Sequence, residues 1–388
     1  MNRKRIVLIG PVYPYKGGIS HYTGLLYRAL SKEYDTLMVS YRMQYPKLLF
    51  RREQRDYKND SFRAEDTRYL INTADPINIH RTAEWIISRK PDAVLIQWWH
   101  PYFAPCYTIL AGRLKRAGIR ILFTCHNVFP HERFIFDKWL TKLTLSRGDG
   151  FILHSNESVG ELLSIKPGAR YRVNPHPTYQ AFALSGLDRA SARRLLNTGD
   201  DVRTALFFGF VREYKGLKHL IRAISILKDR GSALMSAPAG KAPGFILYIV
   251  GDFGSSRNKE EYLSLIEECG VAHFISVIDG YVPDREVEKY FAACDVVVLP
   301  YESATQSGIV QIAYGFLKPV IATRTGGLSD VVEDGVTGLL VEPFDDQGLA
   351  EALERFFSGD HGRYSENIRA DEYRFSWERM VLSIGELL

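Results

Sequence analysis

Short, nearly continuous apolar runs recur along the chain, separated by longer stretches whose apolar residues fall at helical spacing. The runs Arg5–Gly10, Asp35–Tyr41, Pro91–Trp99, Ile119–His126 and Gly150–Asn156 are too short for helices and too evenly apolar for strands with one wet face. They predict strands of a parallel sheet covered on both sides. Ser20–Tyr34, Arg81–Arg89 and Tyr107–Arg116 carry the helical spacing between them, with Ser20 as a candidate N-cap. Tyr45–Asn72 is polar and irregular and predicts a loop over one end of the sheet.

A second series begins near Ala205. Ala205–Phe210 predicts a strand, a tight basic loop follows, and Leu217–Asp229 predicts a helix. Phe245–Gly251, Phe274–Gly280, Val296–Pro300, Pro319–Thr323 and Gly338–Pro343 continue as strands. Two such series mean an α/β protein of two Rossmann-like parallel-sheet domains. The boundaries expected are 1–195 and 196–372. An amphipathic helix over 373–388 follows the second sheet and is expected to pack back toward the first domain.

At 388 residues the chain is too long for one core and suited to two. The four cysteines, Cys106, Cys125, Cys269 and Cys294, are scattered without metal-ligand spacing, which points to a reducing, cytoplasmic setting. Ile6–Ile9 is too short for the core of a signal peptide, and no apolar stretch reaches the length of a membrane span. The charge is uneven. Residues 1–200 hold 31 Lys and Arg against 17 Asp and Glu, whereas the remainder holds 19 against 28. The positive half suits an anionic acceptor or an anionic membrane face, or is simply a solvated surface. Nothing resembles a nucleic-acid-binding module, so no nucleic-acid partner is expected.

In open α/β sheets ligands bind at the carboxyl ends of the strands, and the unusual residues gather there. Gly17 and Gly18 follow the first strand and let backbone approach a phosphate at a helix N-terminus, although a tight turn without a ligand would look the same. His126 ends one strand and His100 the neighbouring one; either imidazole can bond a sugar hydroxyl or stabilise charge. Arg212 and Lys215 share one strand-to-helix loop, where two cations suit a diphosphate leaving group. Glu302 lies just past Val296–Pro300, and Thr305, Gln306, Ser307 and Gly308 form a small polar turn opening a helix. A plain N-cap would explain one of these four. Gly326 and Gly327 form another loop-to-helix turn. No HExxH, DxD, Cys–His cluster or Ser-His-Asp arrangement stands out, so no metal and no cofactor are expected.

These elements, in this order, resemble the GT-B glycosyltransferases, and within them family 4 of the retaining enzymes. The likeness spans nearly the whole chain and is strongest from Phe207 to Pro343, in "FFGFVREYKGLKHLIRA", "IDGYVPDREVEKYFAACDVVVLP" and "KPVIATRTGGLSDVVEDGVTGLLVEP". It implies two domains facing each other across a cleft, with a nucleotide sugar bound mainly by the second and a glycan, lipid-linked or other hydroxyl acceptor by the first. The reaction it implies is transfer of a hexose or N-acetylhexosamine with retention at the anomeric carbon. Transfer to a small-molecule acceptor, or sugar-nucleotide binding without catalysis, is the alternative.

By the same resemblance, Gly17 and Gly18 match the glycine loop near the donor diphosphate and His126 the histidine near the transferred sugar. Arg212 and Lys215 match the basic pair, although the family often carries arginine directly after the glycine, where Phe210 stands here. The segment around Trp377 matches the one that crosses back to the first domain. Two glutamates with seven residues between them are usual in the family; their positions here are Ala304 and Ile312. The stretch "SATQSG" (Ser303–Gly308) looks like a subgroup variant, which changes how the donor ribose would be held.

Overall fold

The computed structural model describes residues 3–46, 53–57, 60–130, 135–236, 243–304 and 307–388. The chain divides into two compact units: Met1–Pro175 with Phe375–Leu388, and His176–Arg374.

The first unit is built on seven strands: β1 (Arg5–Ile9), β2 (Asp35–Met43), β3 (Arg68–Asn72), β4 (Ala93–Trp98), β5 (Arg120–Cys125), β6 (Gly150–Leu153) and β7 (Tyr171–Val173). Their order is β3-β2-β1-β4-β5-β6-β7, every neighbouring pair parallel. Because side chains alternate across a strand, Val7, Ile9, Val94, Ile96, Ile121 and Phe123 share one face. There they are fully buried with Ile79, Ala83 and Ile86 of the helix Pro76–Ser88 and with Tyr107, Leu110 and Leu114 of the helix Ala104–Arg116. The helix Gly18–Glu33 follows β1 and is capped by Gly17, not by Ser20, which sits buried inside its first turn.

The C-terminal helix Trp377–Gly385 belongs to this unit. Ser376 caps it through Arg379 N at 3.1 Å, the Trp377 ring lies 5.2 Å from that of Tyr22, and Ser383 Oγ donates to Asn174 Oδ1 at 3.1 Å. Arg120 reaches the Leu387 carbonyl at 3.2 Å, and Arg172 pairs with Glu386.

The second unit carries β8 (Arg203–Phe208), β9 (Phe245–Gly251), β10 (Ile275–Asp279), β11 (Val296–Leu299), β12 (Val320–Thr323) and β13 (Gly338–Val341). Their order is β10-β9-β8-β11-β12-β13, again all parallel. Phe207, Leu247, Ile249, Val296 and Val298 pack against the helices Leu217–Asp229 and Asp346–Ser358.

Two further expectations change, and one strand is unforeseen. The boundary falls at Pro175–His176 and not near 195. Residues 176–195 are held by the second unit: Tyr179 N donates to the Gln311 carbonyl at 3.1 Å, Glu288 accepts from the Ser185 and Leu187 amides, and buried Arg193 pairs with Asp295 at 2.9 Å. β3 lies inside the stretch expected to be loop; as an edge strand with its first two residues exposed, it needs no continuous apolar run. β7, three residues at the other edge, escapes notice for the same reason.

Candidate functional site

In both sheets the strand order reverses beside the central strand, between β1 and β4 and between β8 and β11. The carboxyl edge at that point is where open α/β sheets bind ligands. In the second unit the two segments there are Gly209–Gly216, after β8, and Pro300–Gly308, after β11.

Gly216 fixes how these segments meet. Its φ is 63°, and a Cβ on it would stand 1.9 Å from the Pro300 carbonyl oxygen. Only glycine tolerates both the left-handed backbone and the close approach. The turn delivers Lys215 inward: the residue is 9% exposed, its Nζ lies 5.5 Å from the centre of the Tyr301 ring, and a Cβ added at Gly209 would stand 3.2 Å from that Nζ. Among the described residues the ammonium has no hydrogen-bond acceptor and no carboxylate partner. Burial pushes its pKa below the ordinary lysine value, and nearby Arg212 adds to the effect. Arg212 stands exposed at the start of the same turn and forms no ion pair among the described residues. The two cations expected as a pair therefore differ: one is buried and poised, the other solvated.

Glu302 is placed beside them but is committed. Its Oε1 accepts from Lys218 Nζ at 2.8 Å and lies 3.3 Å from His219 Nε2, while His219 Nδ1 lies 2.5 Å from Asp346 Oδ1. The Glu302 amide donates to the Tyr214 carbonyl at 2.7 Å, which ties the two crevice segments together. Ser307 caps the helix Gly308–Gly315, accepting from Ile309 N at 3.2 Å, with the Tyr301 hydroxyl 3.3 Å away. Gly308 opens that helix; Thr305 and Gln306 lie outside the described residues. Gly326, at φ 45°, and Gly327 form the turn after β12, but the helix it opens, Leu328–Val331, is a single turn. A helix that short has little dipole to offer an anion.

In the first unit, Gly17 (φ 106°) caps the helix Gly18–Glu33 without a side chain, no acidic residue occupies its first turn, and a Cβ on either glycine would meet open space. His126, directly after β5, is buried; its amide donates to the Trp98 carbonyl, its Nε2 lies 2.9 Å from Gln97 Oε1, and its ring stands edge-on to Tyr22 at 4.6 Å. His100, after β4, accepts from Tyr102 N at Nδ1 (3.1 Å) and so caps a short turn over Pro101–Phe103. Burial lowers its pKa and keeps it neutral near pH 7. Gly17, Gly18, His100 and His126 thus share the carboxyl edge of the first sheet, and Arg212, Lys215, Glu302, Ser307, Gly308, Gly326 and Gly327 that of the second. No cluster of His, Cys, Asp or Glu among the described residues could hold a metal ion.

Residues 16–178 match the model of Glycosyltransferase Family 4, and residues 188–373 that of Glycosyl transferases group 1. The chain belongs to this pair of glycosyltransferase families. A D-inositol 3-phosphate glycosyltransferase of Acidothermus cellulolyticus is 33% identical over 220 residues, covering 55% of this chain and 47% of that protein. The chain spans about half the length of the curated relatives it matches. Sucrose-phosphate synthase of Thermosynechococcus elongatus superposes with a TM-score of 0.70 at 20% identity, covering 99% of this chain and 98% of that one. Anabaena HepE, solved in complex with UDP-glucose, superposes with a TM-score of 0.72 at 18% identity over 99% and 100%.

At the carboxyl edge of the second sheet, sequence reasoning missed Tyr301, His219 and Asp346. Tyr301 follows a fully apolar strand, and a tyrosine in that place was a readable signal. His219 and Asp346 meet Glu302 only through the fold.

Proposed function

We propose that this glycosyltransferase moves a hexose or N-acetylhexosamine from a nucleotide sugar held by the second unit to a hydroxyl acceptor held by the first, with retention and without a metal. The observation that carries the reading is Lys215, a buried ammonium at the β8–β11 carboxyl edge with no anion beside it among the described residues. A buried charge without a partner is costly, and a donor diphosphate would supply that partner. As the bond from the anomeric carbon to the phosphate oxygen breaks, negative charge grows on the diphosphate, and a fixed cation in a dry site stabilises that charge more than it stabilises the ground state. Solvated Arg212 would close on the same anion. Glycines 17 and 18 and His126 would serve the transferred sugar and acceptor, with the leaving phosphate taking the acceptor proton on the same face. HepE, solved with UDP-glucose, supports a nucleoside diphosphate sugar as donor.

The basic surplus of residues 1–200 supports an acceptor that is itself anionic, or one presented at an anionic membrane on the cytoplasmic side, such as a lipid-linked glycan. The inositol-phosphate relatives favour a second reading, transfer to a small phosphorylated acceptor. Incubating the enzyme with a panel of nucleotide sugars, with lipid-linked and small phosphorylated acceptors in separate arms, and assigning the product anomer by NMR tests both. An inverted product would refute retention, and absence of any transfer or donor hydrolysis would refute the enzyme reading.

A further inference from the structure

The helix Asp137–Leu145 buries Asp137, Thr141, Thr144 and Leu145 against the first unit. Its other side and the turn that leads into it are unusual. Ile135 is 94% exposed, Phe136 70% and Trp139 62%, three large apolar side chains side by side on the surface. Lys138 and Lys142 are exposed on the same face, and neither is in an ion pair among the described residues. Lys138, Trp139 and Lys142 are three and four apart on the helix and so share one side of it, with Ile135 and Phe136 in the turn just before its start.

We infer that this surface is a membrane-docking element: Ile135, Phe136 and Trp139 enter the headgroup boundary of an anionic bilayer, and Lys138 and Lys142 lie against lipid phosphates. The composition fits this occupant. Tryptophan and phenylalanine beside lysine are what an interfacial helix uses, with the apolar tips in the acyl boundary and the ammonium groups at the headgroups. Charge argues for lipid over a second copy of the chain, since two such faces would bring four lysines together. The surplus of 31 basic over 17 acidic residues in 1–200 adds long-range attraction to the same surface sign. Position gives the docking a purpose. The helix follows β5, so its N-terminal turn lies at the carboxyl edge of the first sheet, where Gly17, His100 and His126 also lie. Docking there would bring the acceptor edge down to lipid. The inference rests on the membrane-presented acceptor reading above.

The test is co-sedimentation of the full chain with vesicles of phosphatidylcholine alone or with phosphatidylglycerol added, comparing wild type, Ile135→Ser/Phe136→Ser/Trp139→Ser, and Lys138→Glu/Lys142→Glu. Wild type should bind the anionic vesicles, more weakly as salt rises, and both variants should lose at least tenfold in affinity with thermal melts and donor hydrolysis unchanged. Should the apolar variant fail to fold, the charge variant decides, since both its positions are exposed. Quenching of wild-type tryptophan by brominated acyl chains should disappear in Trp139→Phe. Wild type that ignores every vesicle refutes the membrane reading itself. Wild type that binds, with variants binding equally, refutes this surface alone. A wild-type dimer in the absence of lipid that the apolar variant dissolves would assign the patch to self-association instead.

Discussion

The Lys215 ammonium lies over the Tyr301 ring, 5.5 Å from its centre. A desolvated cation–π contact is worth about 2 kcal/mol, less than the several kcal/mol that removing an ammonium from water costs. Burial therefore holds its pKa below the ordinary lysine range. A diphosphate favours the charged form and raises that pKa again. Binding of a nucleoside diphosphate should then take up protons at alkaline pH and weaken as pH rises above the depressed value. Calorimetry in two buffers of different ionisation enthalpy, repeated as pH is raised toward the ordinary lysine value, checks it; an enthalpy independent of buffer at every pH would contradict it.

Gly216→Ala should destabilise the protein by more than about 2 kcal/mol, because a left-handed backbone and a collision with the Pro300 carbonyl act together. Urea denaturation measures it. A change below 0.5 kcal/mol, an order-of-magnitude bound for neutral surface sites, would mean the two crevice segments are not held as described.

Ser307→Ala should cost about 1 kcal/mol, the usual worth of an N-cap, since Ser307 Oγ accepts from Ile309 N. With its hydroxyl oxygen engaged in that cap, Ser307 can serve a donor mainly through its backbone amide, so catalytic efficiency should fall less than tenfold. Denaturation and steady-state kinetics on the same variant separate the two contributions.

His154 is buried, and desolvation lowers its pKa to about 4. Between that value and the unfolded value near 6.5 the unfolded chain binds the extra proton. Stability is therefore full above about pH 6.5 and is lost as pH falls toward 4, by about 3 kcal/mol in all. Urea midpoints across this range should fall in wild type and fall less in His154→Gln.

Turnover should persist in excess EDTA and be unchanged by added magnesium or manganese, since the cations proposed to meet the leaving charge are Arg212 and Lys215. Turnover lost in EDTA and restored by metal would refute this.

Most of the architecture was legible because parallel strands buried on both faces leave continuous apolar runs; β1, β4, β5, β8, β9 and β11 all announce themselves that way. The first sheet's edge strands leave no such mark: β3 is exposed over its first two residues and β7 is only three residues long, so neither shows a continuous apolar run, whereas the second sheet's edge strands β10 and β13 do and were expected. The domain boundary was misplaced because residues 176–195 are tied to the second unit by contacts such as Arg193–Asp295, which no local pattern encodes. At the candidate site the positions could be read from strand ends, but their environments could not. Nothing local says that Lys215 is buried while Arg212 is solvated, or that Glu302 is already engaged by Lys218 and His219. Those facts depend on Gly216 resting on Pro300 and on the packing of three separate segments.

The most direct test of the central claim is calorimetric binding of a panel of nucleoside diphosphates, in EDTA, to wild type and to Lys215→Met, which keeps an unbranched apolar stem and removes the charge. Wild type should bind at least one of them, and the variant should lose about 1.5–3 kcal/mol of that affinity while melting no lower. Equal affinity in the two proteins, or no binding of any nucleoside diphosphate by wild type, would contradict the account.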